Sequence, residues 1–231
     1  MSRLEKPRLS FLGLLSWFMI FFLIGPLFPG FLEATVIQVS FSIMILFAVF
    51  TMRDSKMAMI IGGAIALVSS AANGYVLYQD TFRTEFWALL TSIVFTLFAV
   101  VYLFHSIFLS KVVDKDLIFG SLCIYILLAI LFALIYQIIE LVSPGSFQDV
   151  FPAIPHIKFT DESMALKFHA FLYYSFVTQT TLGYGDITPV TPIAKNFAAI
   201  QAVIGVFYLA TIVGGIVSLL IRSGGCPEAQ R

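Results

Sequence analysis

The chain is poor in charge. Of its 231 residues only 11% are Asp, Glu, Lys or Arg, and Lys plus Arg balance Asp plus Glu at 13 each. Soluble domains carry about 25% charge, because a globule must cover itself with polar groups. A water-soluble enzyme therefore has no support. Zero net charge removes any polyanion-binding reading, so no nucleic-acid partner is expected. There are two cysteines, Cys123 inside an apolar run and Cys226 near the end, and they imply no disulfide framework. No nucleophile–base pair or metal-ligating cluster is present, so neither an enzyme nor a cofactor is expected. Internal repeats and compositional breaks are also missing. The apolar content is too high for a disordered chain.

What is there instead is apolar sequence, 60% of the chain, delivered in blocks. A membrane-spanning helix needs roughly 20 mostly apolar residues. Six blocks meet that length: Leu9–Phe28, Ala34–Met52, Met57–Tyr78, Phe86–Leu109, Leu117–Val142 and Ile193–Ile221. The first four contain no Asp, Glu, Lys or Arg. The fifth holds Glu140 near its end and the sixth Lys195 near its start. A seventh stretch, Ala165–Thr178, is too short to span and reads as a half-helix or re-entrant segment. The first block follows Arg3, Lys6 and Arg8 as a signal peptide would, but it is long and lacks a small-residue cleavage site. It is expected to stay as a helix, with Pro26 near its outer end. The fold class is all-α integral membrane, with six transmembrane helices and one re-entrant half-helix.

Basic residues in the short loops predict the orientation. One side holds Arg3, Lys6, Arg8, Arg53, Lys56, Lys111, Lys115, Arg222 and Arg231. The other holds Arg83, Lys158, Lys167 and Lys195. The richer side is expected to be cytoplasmic. Both termini then lie inside and the connection Ser143–Met164 outside, in a plasma (inner) membrane.

The half-helix ends in Thr178-Gln179-Thr180-Thr181-Leu182-Gly183-Tyr184-Gly185-Asp186. A half-helix that enters the membrane and stops aims its negative dipole end at the midplane, where a cation is favoured. Glycines on both sides of Tyr184 permit backbone angles that other residues avoid, so successive carbonyls can turn toward one axis. Irregular backbone at membrane depth is tolerated only where it is buried or lines a water path. An ion path accounts for both features.

This strip resembles the selectivity filter of tetrameric potassium channels, Thr-X-Gly-Tyr-Gly. The chain reads Thr181-Leu182-Gly183-Tyr184-Gly185, then the family's acidic residue as Asp186. The order of helix, half-helix, filter and inner helix over Leu117–Ile221 agrees, so the resemblance covers the last half of the chain. It implies a pore domain over 111–231, and the first four apolar blocks are read as a four-helix membrane domain over 1–110. It also implies a homotetramer, since one chain supplies one strip, passing K+ passively. The expected K+ ligands are the carbonyls of Thr181, Leu182, Gly183 and Tyr184 with the Thr181 hydroxyl, and Gly185 completes the filter. Tyr173 and Tyr174 look like the aromatic pair that cuffs the filter, with Tyr174 expected to hold Asp186 and Thr178 to add support. Gly205 stands where the family often carries a hinge glycine. Val206, Leu209 and Val213 would line the cavity. Leu182 replaces the usual Val, and Val177 stands where some relatives have a glutamate.

The first four helices match a voltage-sensor domain in number only. The fourth block carries no Arg or Lys, and gating charge needs several per subunit. Membrane lipid, K+ and three further copies of the chain are the expected partners. Two other readings remain open: a weakly selective cation channel, and a membrane sensor or scaffold with a non-conducting pore. For Glu140, interfacial solvation and a hydrogen bond to backbone near Pro189–Thr191 weigh evenly. The alternative for Gly205 is that it only lets the inner helix pack close to the half-helix.

Overall fold

In a computed structural model, residues 55–79, 81–108, 115–149 and 164–224 are described, along with 13, 15–20, 42, 43, 45 and 49. The first two apolar blocks lie largely outside the described residues, as does the connection at 109–114. The elements in order are α1 Lys56–Val76, α2 Phe82–Phe108, α3 Lys115–Val142, β1 Phe147–Asp149, α4 Met164–Gln179, β2 Ile187–Pro189 and α5 Pro192–Gly224.

The helices begin where local chemistry lets them. Ser55 caps α1, its hydroxyl accepting from the Ala58 amide at 3.3 Å. Thr191 precedes Pro192 at the start of α5 and accepts from the Ala194 amide at 3.4 Å. Proline suits that first position, because its missing N–H would be unpaired there anyway. α2 starts earlier than its apolar block and takes Arg83 and Glu85 into its first turn. Among the described residues, four helices are long and apolar enough to cross a membrane: Lys56–Val76, Phe82–Ser106, Ile118–Val142 and Pro192–Ile212. α4 is shorter. Its 16 residues extend about 24 Å at 1.5 Å per residue, less than the ~30 Å hydrocarbon core.

α3 is the hub. It packs against α2, α4 and α5, and Ile124, Leu127, Ile130 and Leu134 are buried along it. Ala88 and Ala99 on α2 are fully buried, small residues that let helix backbones approach. α1 lies on the other side of α2, joined to it by a polar knot. There Asn73 Nδ2 donates to the Ser92 hydroxyl at 2.8 Å, and the Ser69 and Ser92 hydroxyls meet at 3.1 Å. An ion pair from Lys167 on α4 to Glu85 on α2, at 3.6 Å, joins the two halves of the chain. In addition, Phe18 and Phe176 rings lie 5.5 Å apart.

The fold is not purely helical. β1 and β2 pair antiparallel, with Phe147 opposite Pro189, Gln148 opposite Thr188 and Asp149 opposite Ile187. The described residues are mostly helical, as expected, and this short ribbon is added to them. Its physical reason is the buried Glu140 carboxylate, which accepts from the Gly145 amide at 2.7 Å and the Phe147 amide at 3.0 Å. The turn after α3 is thereby folded back. Gly145 allows that turn with φ of 83°. Phe147 then inserts its ring among Tyr136, Phe171 and Tyr174, at centroid distances of 5.4, 5.0 and 5.4 Å. Glu140 is thus neither solvated nor bonded near Pro189–Thr191. It holds the strand that pairs with that segment.

Candidate functional site: the strip after α4

The first part of the strip is positioned by the end of α4. The Thr180 amide donates to the Phe176 carbonyl at 2.9 Å and the Thr181 amide to Thr178 at 3.1 Å. Leu182 and Gly183 share the Val177 carbonyl at 2.9 and 3.3 Å. Four successive N–H groups therefore fold back onto the last turn of the helix. The carbonyls of Thr181, Leu182, Gly183 and Tyr184 accept no hydrogen bond among the described residues.

Backbone handedness alternates along this stretch. Thr181, Gly183 and Gly185 have φ of 60°, 62° and 76°, whereas Leu182 and Tyr184 are not left-handed. Such alternation brings successive carbonyls toward one side. At Gly183 and Gly185 it carries no side-chain penalty. At Thr181 it costs about 1–2 kcal/mol, which is offset by the amide bond to Thr178 and by the Thr181 hydroxyl donating to the Thr180 carbonyl at 2.6 Å. All five residues from Thr181 to Gly185 are exposed in the single chain.

Beyond the strip, Asp186 turns the chain into β2. Its Oδ1 accepts from the Ile187 amide at 2.9 Å and its Oδ2 from the Tyr173 hydroxyl at 2.6 Å. The expectation that Tyr174 holds Asp186 is therefore corrected: the donor is Tyr173. Consecutive residues on a helix point about 100° apart, so only one of the pair can face the strip. Tyr174 instead faces the core at 5% exposure, packing edge-on to Tyr136 at 5.1 Å. Thr178 lies one turn further along α4.

Gly205 lies in an unbroken helix, and the structure gives it a packing role. A methyl group there would overlap the Gln179 carbonyl oxygen and sit 2.9 Å from the Gln179 Cγ. Glycine is what lets α5 touch the end of α4. Val206 and Leu209 are exposed, at 52% and 43%. The Val213 side chain lies outside the described residues.

Sequence reasoning missed the layer behind the strip. Ser175, Gln179 and Gln201 are buried and hydrogen-bonded to one another and to Tyr136, Tyr125 and Ala129 on α3. The usable signal was a glutamine inside α5, since polar side chains in membrane helices usually join helices together.

Residues 122–222 match the family model described as "Ion channel". Over 50 residues the chain is 44% identical to two pore potassium channel c of Oryza sativa subsp. japonica and 40% identical to two-pore potassium channel 5 of Arabidopsis thaliana. Each match covers 22% of this chain, and 11% and 12% respectively of those longer proteins. No solved structure matches the chain at a significant level. Residues 122–222 are thus similar to an ion channel domain, in a chain whose described residues include four helices long and apolar enough to cross a membrane.

Proposed function

We propose that the protein is a potassium-selective channel in which four copies of the chain each contribute the strip Thr181–Gly185. The observation that carries this reading is the strip itself. The amides of Thr181, Leu182 and Gly183 are tied to α4, and the carbonyls of Thr181, Leu182, Gly183 and Tyr184 are left without donors among the described residues. Unpaired carbonyls inside a membrane protein cost free energy unless something replaces water, and a dehydrated K+ ion does so. Rings of carbonyls from Thr181, Leu182, Gly183 and Tyr184 would hold the ion. The Thr181 hydroxyl gives its proton to Thr180, so its oxygen still has lone pairs for the innermost site. Gly185 closes the strip, and Asp186 with Tyr173 anchors it.

A tetramer accounts for the apolar surface of α5. Val203, Val206 and Phe207 are 55%, 52% and 68% exposed in one chain. Neighbouring chains and a central cavity would divide that face, with Val206, Leu209 and Val213 on the cavity side. α4 would enter the membrane from outside and stop, and both termini would be cytoplasmic. The body of α2 from Phe86 to Phe108 has no Arg or Lys, so conduction is not driven by gating charge there. Each four-helix unit would sit beside the pore half of its own chain, because α2 packs along α3 and the loop between them is short.

Purified protein in liposomes tests the reading. A K+ gradient is expected to drive flux that Na+ cannot replace, and the detergent complex is expected to have the mass of four chains. Flux carried equally by Na+ would favour a weakly selective cation channel. A lack of flux in every condition would favour a sensor or scaffold.

A further inference from the structure

Two glutamines lie head to tail behind the strip. Gln201 on α5 is fully buried and Gln179 at the end of α4 is 2% exposed. An amide in such a place persists only with partners, since its desolvation is costly.

The partners set the direction of every bond. The Ser175 carbonyl can only accept, so the group 3.1 Å from it is the Gln201 Nε2. The Tyr136 hydroxyl then donates to Gln201 Oε1. The Tyr125 carbonyl also can only accept, so Gln179 presents its Nε2 there, at 2.7 Å. Gln179 Oε1 is thereby left facing Gln201 Nε2 at 3.2 Å. The Ser175 hydroxyl spends its proton on the Ala129 carbonyl at 2.6 Å and accepts from Gln201 at 2.6 Å. A flip of either amide would set oxygen against oxygen. The wiring has one solution, and it joins α3, α4 and α5.

Gln179 is the last residue of α4. Its own carbonyl accepts from the Tyr125 hydroxyl at 3.2 Å and abuts Gly205. The next four amides fold back on the same turn, so a rotation of that turn is carried straight into the strip. We infer that Gln201 is a positioning residue for the ion path: through Gln179 it fixes the last turn of α4 against α5 and so sets the discrimination between K+ and Na+. This rests on the channel reading above. Whether selectivity comes from cavity size or from the field of the carbonyls, the carbonyls must hold their places.

The experiment compares wild type with Gln201→Met, Gln201→Asn, Gln179→Met and the Gln179→Met/Gln201→Met double variant. K+ and Na+ flux and thermal melting are measured on the same liposome preparations. Gln201→Met keeps the length of the side chain but removes donor and acceptor. Its K+/Na+ flux ratio is expected to fall about tenfold, equivalent to about 1.4 kcal/mol. The double variant is expected to fall no further than the worse single one, because both act through one link. Gln201→Asn retains the amide but is one methylene too short, and an intermediate loss is expected. If Gln201→Met does not assemble, Gln201→Asn decides. A lowered melting temperature with a wild-type flux ratio in the Gln201 variants would overturn the inference, and so would fully additive losses. Absence of flux in wild type would instead remove the channel reading on which it rests.

Discussion

Gly205→Ala separates two roles for one glycine by the sign of its effect. If Gly205 serves only as a flexible point in α5, alanine stiffens the helix and stabilises it by about 1 kcal/mol from helix propensity. The structure predicts the opposite. The new methyl group would overlap the Gln179 carbonyl oxygen and stand 2.9 Å from the Gln179 Cγ and 3.2 Å from its carbonyl carbon. The carbonyl is backbone, held by the Tyr125 hydroxyl, and cannot swing aside as a side-chain tip would. Overpacking of this kind costs about 1–3 kcal/mol. Set against the propensity gain, the net is a destabilisation of up to about 2 kcal/mol, concentrated where the strip begins. Thermal melting of the purified protein should show a lower midpoint, accompanied by altered K+ flux. Gly205→Val should be worse, because its branches meet the same carbonyl. An alanine variant that melts at or above wild type with unchanged selectivity would refute the close contact between α5 and the end of α4.

Further outcomes follow from the same geometry. Tyr173→Phe removes the 2.6 Å bond to Asp186, at a cost of about 1–2 kcal/mol for a hydrogen bond to a charged, partly exposed group; the current should decline faster during sustained conduction, and Tyr174→Phe should leave that decline nearer wild type. Glu140→Gln turns one of two accepting oxygens into a donor and leaves either the Gly145 or the Phe147 amide unpaired, so about 1–3 kcal/mol of stability should be lost on thermal melting. Gly185→Ala forces a side chain into φ of 76°, a cost of about 1–2 kcal/mol, and should admit Na+ in liposome flux; retained K+ preference would argue against this strip as the ion path. Currents in symmetric K+ should show no steep voltage threshold, because the body of α2 carries no Arg or Lys, and about 2.3 kcal/mol per charge per 100 mV is what such a threshold requires.

Much of the site was legible in the residues. Gly183 and Gly185 are where left-handed backbone is needed, and both have it. The shortness of Ala165–Thr178 foretold a helix of 16 residues at Met164–Gln179. The choice between Tyr173 and Tyr174 was not legible, because adjacent aromatics on a helix are chemically equal until the packing of α4 turns one toward Phe147 and the other toward Asp186. The Glu140 address failed for a related reason: a carboxylate at a helix end accepts whichever amides the following turn brings to it, and that turn depends on a ribbon of two three-residue strands.

Composition and block length by themselves determined that this is a helical membrane protein, since apolar runs of this length have one stable solution in lipid. The glycine spacing determined where the backbone leaves the helix, because φ preference is a property of the single residue. Only the tertiary structure decided which side chains hold that backbone in place. Gln179 and Gln201 lie 22 positions apart in sequence, and nothing local to either requires the other. They meet because Gly205 lets α5 press against the end of α4, and because buried amides must find partners once water is gone.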